Sequence, residues 1–447
     1  MEDVEKKNPI TEGNLWQALI TFFIPIFSSS IIQQSYTIID AIIVGRYAGK
    51  GALASVDATY VVIKFLINVV ISVAAGGSVI LAKYCGAEDN LSMRKTVTTL
   101  TFFSIFGGII ITLVGVSFTP MFVKIMRVPE DIFIRSVGYL RVYFAGSLFS
   151  LAFNIYSGVL RAVGDSKRPF KYMIISSAVN VVLDIIFVAV LRLDVSGAAL
   201  ATVISQGISE FLMIRYITSV QEPYALRMEK KSFDFEFLKL ILKTGVPMGV
   251  QTILFAISNM YMQGAINSFG TDCVAAWAIC GKMDIIIWII ADTMGLAVVT
   301  FVAQNFGAKK YDRMGEAVKN AFILTTFLIG SISAILYFFN PTFAKFFNDD
   351  GTVLNFAKLF MTQIAPFYVI HTVGETLSGA IRGRGESFMP MVLTLIGICL
   401  SRVVWIKLVL PLKNEIFTVL WGYPLSWLLT AVLYSSYYIY FMKKNRI

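Results

Sequence analysis

The chain has 447 residues, of which 57% are hydrophobic and only 15% are charged, and its mean hydropathy is +0.73. Soluble domains carry about 25% charged residues, so this composition excludes a soluble protein and predicts a chain that crosses a membrane many times. We attribute the net charge of +10 to basic loops on one side of that membrane.

Twelve apolar segments are long enough to cross a bilayer, for which a helix needs about 20 residues. They lie at 15–43, 53–80, 96–118, 133–160, 170–191, 196–219, 238–267, 274–301, 317–339, 354–381, 388–410 and 416–442. None shows the alternating pattern of a membrane β-strand. We therefore predict an all-α polytopic membrane protein with twelve transmembrane helices. The charged residues 1–7 lack a signal-peptide cleavage pattern, so we expect the first span to be retained.

Basic residues in the connections predict the orientation. If the N-terminus is cytoplasmic, the cytoplasmic connections carry more Lys and Arg than the opposite ones, beginning with Lys83, Arg94 and Lys95. Positive residues favour the cytoplasmic side of short loops. We expect both termini in the cytoplasm and the protein in the cell (plasma) membrane, as a multi-pass protein of a bacterial inner membrane.

Two halves of the chain repeat each other. Residues 157–165 read Ser-Gly-Val-Leu-Arg-Ala-Val-Gly-Asp, and residues 378–386, 221 positions later, read Ser-Gly-Ala-Ile-Arg-Gly-Arg-Gly-Glu. Gly86 and Gly307, each followed by Ala, match at the same offset. Repeats around a midplane site are a common transporter plan. Because each half has an even number of spans, we expect two pseudo-symmetric six-helix bundles related by an axis along the membrane normal.

The polar stretch 221–237 divides the spans six and six. We accordingly predict an N-terminal lobe at 1–220, a cytoplasmic linker at 221–237 and a C-terminal lobe at 238–447. Pro25 and Pro247, 222 residues apart, lie early in the first span of each lobe.

The first span carries a polar face. Ser29, Gln33, Tyr36 and Asp40 follow one another at spacings of three and four, which places them on one side of a helix. Such a face is costly in a bilayer unless it meets protein or water. Asp40 is either an ordinary residue at a solvated helix end or a carboxylate that binds a cation or a proton inside the protein.

The fourth and fifth spans add further polar residues. Asn180 and Asp184 lie one turn apart in an otherwise apolar segment, where an ionised, unpaired carboxylate is costly. Asp184 either joins an ion site or bonds a neighbouring helix. Asn154 is expected to face the same polar interior or to join two helices. Tyr139, at the start of the fourth span, is expected to anchor at the membrane interface.

The C-terminal half has a polar and aromatic pattern of its own. Polar residues recur at four or eight along the seventh span, and acidic and aromatic ones at four along the eighth, a face that suits an organic cation. The candidates for a substrate cavity are Gln33, Gln251, Asn259, Gln263, Asp284, Trp288, Asp292, His371 and Glu375. Alternatively, these residues satisfy one another or Lys282. His371 is a pH-sensitive gate or a structural donor, and Arg402 is expected to counter Glu375 or Asp292.

The sequence lacks motifs for ATP binding and for disulfide or metal sites. There is no P-loop, so ATP is not the expected energy source. The four cysteines form no CxxC pair, which argues against a disulfide or metal site. We expect no enzyme activity, no cofactor, no nucleic-acid partner, and a monomer.

Taken together, these motifs resemble the MATE (multidrug and toxic compound extrusion) family over essentially the whole chain. The resemblance rests on Pro25 with Asp40 and the following Val44-Gly45, on the Gly-Ala pairs at 86 and 307, and on the two repeated Ser-Gly motifs. It implies a V of two six-helix lobes around a cavity that opens alternately to either side. It also implies export of cationic, amphipathic compounds against an inward flow of Na⁺ or H⁺.

Within that family the chain is more similar to the DinF-like branch than to the NorM-like branch. The resemblance implies a cation site in the N-terminal lobe made of Asp40, Asn180, Asp184 and Thr202, with Asn154 and Tyr36 as further members. The acidic positions of NorM-like members correspond here to Phe255 and His371. Two carboxylates, an amide oxygen and a hydroxyl suit Na⁺, and two close carboxylates can hold a proton instead, so the coupling ion stays open.

The leading hypothesis is a secondary active antiporter that exports small organic cations in exchange for Na⁺ or H⁺, with Pro25 as a gating point and membrane lipids as its surroundings. An alternative is a flippase of the same superfamily for lipid-linked saccharides or peptidoglycan precursors. It would need a cationic cavity, for which Arg402, Lys407 and Lys64 are candidates. A non-transporting scaffold would have little use for paired buried carboxylates.

Overall fold

The structure is a computed structural model that describes residues 8–227 and 234–444. These residues form helices and turns, with no strand among them. The first half contains α1 (Leu15–Ile43), α2 (Lys50–Gly86), α3 (Asn90–Ile125), α4 (Glu130–Ala145), α5 (Ser147–Ala162), α6 (Lys167–Asp184) and α7 (Asp194–Ser219). The second half contains α8 (Phe235–Asn267), α9 (Thr271–Met283), α10 (Ile285–Gly307), α11 (Tyr311–Lys345), α12 (Gly351–Ile364), α13 (Tyr368–Gly383), α14 (Phe388–Thr394), α15 (Ser401–Leu408) and α16 (Ile416–Lys444).

The described residues include 11 helices long and apolar enough to span a membrane, or 12 if the bent pair α4–α5 counts as one span. The predicted all-α, multi-pass membrane fold is confirmed. Several helices begin at a side-chain cap. Asp89 accepts a hydrogen bond from the Ser92 backbone N–H at 3.0 Å and so begins α3. This bond lowers the pKa of the Asp89 carboxyl from its ordinary value.

Three predicted spans are interrupted, which the sequence analysis did not anticipate. The span predicted at 133–160 bends by 48° between α4 and α5. The one predicted at 274–301 breaks at Asp284, between α9 and α10. The one predicted at 354–381 contains a 3-10 turn, Ala365–Phe367, at a proline that has no N–H for the α-helical ladder.

Three helices continue into or pass through π-helical turns. α1 leads into Val44–Ala48, α6 into Ile185–Val190, and α14 is joined to α15 by Leu395–Leu400. π-Turns inside helices are rare and occur frequently at functional sites. The first π-helical turn begins four residues after the candidate carboxylate Asp40, and the second begins one residue after the candidate carboxylate Asp184. Both candidate carboxylates therefore lie next to a π-helical turn.

The internal repeat is visible in the backbone. Three pairs of residues 221 positions apart have a positive φ, between 55° and 97°: Gly49 and Gly270, Glu88 and Lys309, and Gly164 and Gly385. A positive φ is uncommon, especially outside glycine. Equivalent turns therefore adopt equivalent conformations in the two halves, as expected for two pseudo-symmetric bundles.

By packing, the chain divides into two compact units. The N-terminal unit is Ile24–Gly249, and the C-terminal unit is Met1–Phe23 with Val250–Ile447. Each unit thus takes part of α1 and part of α8, and the divisions fall close to Pro25 and Pro247. The predicted lobes at 1–220 and 238–447 follow the sequence repeat and stay a prediction. Residues 228–233 of the predicted linker lie outside the described residues, as do both chain termini.

In the C-terminal unit, residues 8–13 are fastened to the end of α10 and the start of α11. Asn8 Nδ2 donates to Gln304 Oε1 at 2.9 Å, and Asn305 Nδ2 donates to the Ile10 carbonyl at 3.1 Å. Lys310 Nζ donates to the Thr11 carbonyl at 3.1 Å. The last two bonds satisfy backbone carbonyls that precede the first helix.

In the N-terminal unit, α2 and the first part of α8 approach backbone to backbone. A Cβ built on Gly245 would lie 1.9 Å from the Val73 carbonyl oxygen, and one built on Gly76 would lie 2.5 Å from the Gly245 nitrogen. Small residues allow this kind of close helix crossing in membranes. Glycine is required at both positions because the obstructing atoms belong to the backbone.

We predict that Gly245→Ala destabilises the protein, because a methyl group cannot fit without separating the two helices. The expected loss is about 1–3 kcal/mol, as for other overpacked sites, seen as a lower midpoint of thermal unfolding in detergent. Gly264→Ala, on the same helix with nothing within 4 Å of its Cβ, is the matched control and should unfold at or slightly above the wild-type midpoint. Equal midpoints for the two variants would show that the crossing is not tight.

Candidate functional site

Two carboxylates meet inside the N-terminal unit. Asp40 lies in the last turn of α1 and is 9% exposed, while Asp184 ends α6 and is fully buried. Their carboxyl groups lie within hydrogen-bonding reach of each other. Neither takes part in an ion pair with a basic side chain of the described residues. Since like charges at this distance repel, the pair must bind something positive or share a proton.

The neighbouring polar groups leave oxygens available to such a ligand. Asn180 Nδ2 donates to Thr202 Oγ1 at 3.5 Å, and Thr202 Oγ1 donates to the Ala198 carbonyl at 3.1 Å. The remaining oxygens, Asp40 Oδ1, Asn180 Oδ1 and both carboxyl oxygens of Asp184, are buried and have no hydrogen-bond partner in the described part of the chain. Buried polar atoms are rarely left so.

Four unpartnered oxygens fit either of two ligands. Carboxylate, amide and hydroxyl oxygens are hard donors of the kind that Na⁺ prefers. A single proton shared by the two carboxyl groups would also relieve their repulsion. Both uses involve Asp40 and Asp184, so the arrangement alone leaves the choice between Na⁺ and H⁺ open.

Two tyrosines face the carboxylate pair. Tyr139 is only 6% exposed and lies close enough to both Asp40 and Asp184 to interact with their charges. The expectation that it anchors at the membrane interface is wrong, because an interfacial anchor must face lipid headgroups. Tyr36 lies near Asp40 and shares a hydrogen bond with Gln33. Its predicted hydrogen bond to Asp40 stays a prediction.

Asn154 makes a different contact from the one that the sequence suggested. Its Nδ2 donates to the Ser150 carbonyl at 2.8 Å, one turn back on the same helix, α5. This bond occupies a donor of the amide group within α5. Its membership of the ion site stays a prediction.

In the C-terminal unit, several candidate cavity residues already have protein partners. The Tyr368 hydroxyl donates to Asp284 Oδ2 at 2.6 Å. Gln251 donates to Thr394 Oγ1 at 2.7 Å and accepts from Arg382 at 2.5 Å. These contacts hold α8, α13 and α14 together. One oxygen of Asp284, Oδ1, is buried and has no partner among the described residues.

Arg402 is fully enclosed at 1% exposure. Its Nε donates to Ser426 Oγ at 3.0 Å and its Nη1 to Asn259 Oδ1 at 2.9 Å. Its guanidinium also lies 4.5 Å from the centre of the Tyr423 ring, a favourable cation–π distance. The expectation that Arg402 counters Glu375 or Asp292 is therefore wrong, because neutral acceptors and an aromatic ring hold this charge.

The remaining candidates divide between an aromatic cluster and exposed positions. Trp288, His371 and Trp427 form the cluster, with ring centres 5.0–6.2 Å apart, and Glu375 lies close enough to interact with His371. Gln263 bonds Asn267 on its own helix at 2.8 Å. Gln33 and Asp292 are exposed on the protein surface. Lys282, an expected partner for the acidic face, instead lies over the Phe347 ring.

One buried carboxyl escaped the sequence analysis. Glu210 on α7 is 3% exposed, and neither of its oxygens has a hydrogen-bond partner in the described residues. A signal was present, since Glu210 is a lone carboxylate inside the apolar span predicted at 196–219. No second acidic residue lies one helical turn from Glu210, so the spacing of residues did not indicate a site there.

A model of the family described as MatE matches the chain twice, at residues 25–186 and 247–406. The two matches begin at Pro25 and Pro247, so the family pattern follows the internal repeat. A protein named "Probable multidrug resistance protein YoeA", from Bacillus subtilis, is 26% identical over 445 residues, covering 98% of this chain and 96% of its own length.

Solved structures share the fold. A superfamily transporter from Pyrococcus furiosus, described by a binding pocket of reversed polarity, superposes with a TM-score of 0.91 at 21% identity, covering 100% of both chains. A MATE structure in a bent conformation superposes with a TM-score of 0.92 at 21% identity, covering 99% of this chain and 98% of the other. Similarity at this level of identity concerns the fold.

We predict that the Arg402–Asn259 hydrogen bond stabilises the C-terminal unit. Asn259→Leu leaves a buried guanidinium N–H without its acceptor, and the expected cost is about 1–3 kcal/mol in equilibrium unfolding in mixed micelles. Gln263→Leu, which loses only a bond within α8, is the control and should cost less. In a double-mutant cycle, Arg402→Met should abolish the effect of Asn259→Leu. Strict additivity of the two substitutions would contradict the assigned contact.

Proposed function

Since the chain belongs to the MatE family of multidrug efflux transporters, we propose that it is a secondary active antiporter that exports cationic or amphipathic drugs in exchange for Na⁺ or H⁺. Members of this family are transporters and not enzymes. The observation that carries the proposal is the buried Asp40–Asp184 pair with its unpartnered oxygens. The arrangement in the N-terminal unit favours the DinF-like branch.

Ion binding at the carboxylate pair can shift the conformational equilibrium of the protein. Without an ion, the pair holds repelling charge in an apolar bundle, which is unfavourable. Binding of one Na⁺ or H⁺ removes one of the two negative charges, relieves their repulsion and so favours a different arrangement of α1 and α6. Antiport follows if the ion and the drug prefer different arrangements, because a ligand shifts an equilibrium only by its differential affinity for the two states.

Pro25 is the proposed compliant point of α1. It is buried within the helix, and the packing of α1 passes from one unit to the other between Phe23 and Ile24. Proline removes an i→i−4 hydrogen bond and weakens the helix at that turn. The Ser29 hydroxyl donates to the Pro25 carbonyl at 2.8 Å, a bond of the kind that bends helices. A bend here would carry Asp40 with it.

The proposed substrate site lies among the aromatic residues of the C-terminal unit. Trp288 and His371 pack together beside the Asp284–Tyr368 pair. The free Oδ1 of Asp284 and the ring faces suit a flat organic cation, by charge and by cation–π attraction. The runner-up function, flipping of anionic lipid-linked precursors, has less support because Arg402 is already bonded to Asn259 and Ser426.

The cellular setting is proposed with the function. The protein is a multi-pass membrane protein of a bacterial transporter family. We place it in the bacterial inner membrane as a monomer with both termini in the cytoplasm. Its only partners on this proposal are membrane lipids, the organic cation that it exports and the coupling ion.

We predict that Asp40→Asn abolishes active export while preserving expression and folding, because the amide cannot exchange a proton or supply a carboxylate to Na⁺. Ethidium efflux from cells is the measurement, and the rate should fall to that of cells without the protein. Asp131→Asn, at an exposed carboxylate in the first turn of α4, should leave the rate unchanged. Sensitivity of wild-type efflux to a sodium ionophore or to a protonophore identifies the ion. Uphill ethidium export by the Asp40→Asn protein would disprove the mechanism.

A second prediction concerns the compliant point. Pro25→Ala should restore the missing helical hydrogen bond, stiffen α1 and slow ethidium transport several-fold, with ethidium affinity little changed. The control is Pro120→Ala, at a proline inside α3, which should transport at the wild-type rate. Stopped-flow efflux from proteoliposomes and ethidium-binding fluorescence separate turnover from affinity. If both proline variants slow transport equally, Pro25 has no special gating role.

A further inference from the structure

We propose that Glu210 is a second proton-carrying carboxyl of the N-terminal unit, which exchanges a proton with the Asp40–Asp184 pair and passes it to the cytoplasmic side. This inference rests on the proposed antiport function with H⁺ as a coupling ion. It stands on the burial of Glu210, on its lack of partners and on its place along α7.

The surroundings of Glu210 do not stabilise a negative charge. The carboxyl is 3% exposed, and both oxygens lack a hydrogen-bond partner within 8–227 and 234–444. No basic side chain of the described residues forms an ion pair with it. An ionised carboxylate in such a place is costly, so the group is neutral at rest and carries a proton.

The titratable group that faces Glu210 is Tyr156 of α5. The Tyr156 hydroxyl donates to Thr101 Oγ1 of α3 at 3.1 Å, so its proton is engaged elsewhere. Among the described residues of the other helices packed on α7, no charged group is found to act on Glu210. No salt bridge of the described residues holds Glu210 in its ionised form, so its protonation depends on its access to water and to a proton donor.

Buried polar side chains lie along α7 between the carboxylate pair and Glu210. Thr202, beside Asn180, is followed on α7 by Ser205, Ser209 and Glu210, all of them buried. Eight residues of helix separate Thr202 from Glu210, about 12 Å along the axis. Ser205 Oγ donates to the Thr202 carbonyl at 2.9 Å. Because the Thr202, Ser205 and Ser209 hydroxyls donate to backbone carbonyls, the proposed transfer over this distance requires water molecules beside them.

The direction along α7 is towards the side predicted to be cytoplasmic. The end of α7 lies beside the beginning of α6, because Ser209 Oγ donates to the Tyr172 carbonyl at 3.0 Å and the Arg168 guanidinium lies 4.2 Å from the Tyr216 ring centre. Asp184 is at the opposite end of α6. Glu210 thus occupies the inner half of the unit, and the carboxylate pair the outer half.

The proposed transfer conserves charge at each step. Glu210, protonated at rest, first releases its proton to cytoplasmic water and becomes a carboxylate. A proton then leaves the Asp40–Asp184 pair, which regains one negative charge, and binds the Glu210 carboxylate, which becomes a neutral acid again. In such a relay, the Asp40–Asp184 pair takes up the proton from the outside, and a different group, Glu210, releases it to the cytoplasm.

The first test is infrared spectroscopy of the purified wild-type protein, which needs no substrate. A protonated, buried Glu210 contributes a component to the carboxylic C=O stretching band at neutral pH, and Glu210→Gln should remove that component while leaving any contribution of the Asp40–Asp184 pair. Glu236→Gln, at an exposed carboxylate of α8, should leave the band unchanged. A band that is identical in the wild type and in Glu210→Gln would overturn the inference.

The second test is ethidium transport in proteoliposomes driven by a pH gradient. Glu210→Gln should slow transport about 10-fold with ethidium affinity unchanged, and Glu210→Asp, which keeps a titratable group, should restore part of the rate. A purely structural role predicts that Gln, of nearly the same shape, works as well as Glu, and a wild-type rate in Glu210→Gln would overturn the relay. If the wild-type protein itself exports no ethidium, the proposed function fails, and the infrared band alone then decides whether Glu210 carries a proton.

Discussion

The N-terminal unit is organised around carboxylates that no basic side chain within 8–227 and 234–444 neutralises. Asp40 and Asp184 approach each other at the ends of α1 and α6, and both helices pass into a π-turn within one turn of the carboxylate. An apolar bundle tolerates this arrangement only with a bound cation or proton. The same constraint applies to Glu210 further along α7. On the proposed function, the ion is part of the stability of this unit, and its binding or release changes which packing of the helices is favoured.

The C-terminal unit meets the same physical problem with a different solution. Its buried charges are paired locally, Asp284 with the hydroxyl of Tyr368 and Arg402 with Asn259, Ser426 and the ring of Tyr423. These hydrogen bonds satisfy most of the polar atoms of Asp284 and Arg402, and Oδ1 of Asp284 is left without a partner in the described part of the chain. On the proposed function, such a unit binds the organic cation through its aromatic residues and does not compete for the coupling ion.

Much of the fold was predictable, because hydropathy and a repeat of 221 residues are properties of the chain itself. The family model confirms the resemblance by matching both halves, and the left-handed turns repeat at the same interval. The break at Asp284 was not predictable, since a window of about 20 residues averages over a single interruption.

The site was less predictable than the fold. The prediction that Asp40 lies close to Asp184 depended on the family resemblance and not on the spacing of residues in the sequence. Tyr139 was misplaced because a tyrosine at a span end has the same local pattern whether it faces lipid or the interior. Glu210 was missed because a lone residue forms no spacing pattern.

The two halves share a backbone conformation, but the C-terminal half lacks carboxylates at the positions equivalent to Asp40 and Asp184. This asymmetry matters for the coupling of ion binding to drug transport on the proposed function. Counting 222 residues from Asp40 leads to Met262, and counting 221 from Asp184 and Thr202 leads to Trp405 and Tyr423. Met262 is fully buried, and the Trp405 indole donates to the Thr418 carbonyl at 2.7 Å, so apolar and aromatic groups occupy the equivalent positions. If both halves carried the carboxylates, an ion would stabilise the two bundles alike and would favour neither arrangement over the other. With these carboxylates in one half only, ion binding on the proposed function acts directly on the N-terminal unit and not on its repeat. That difference is what an exchange of ion for drug requires.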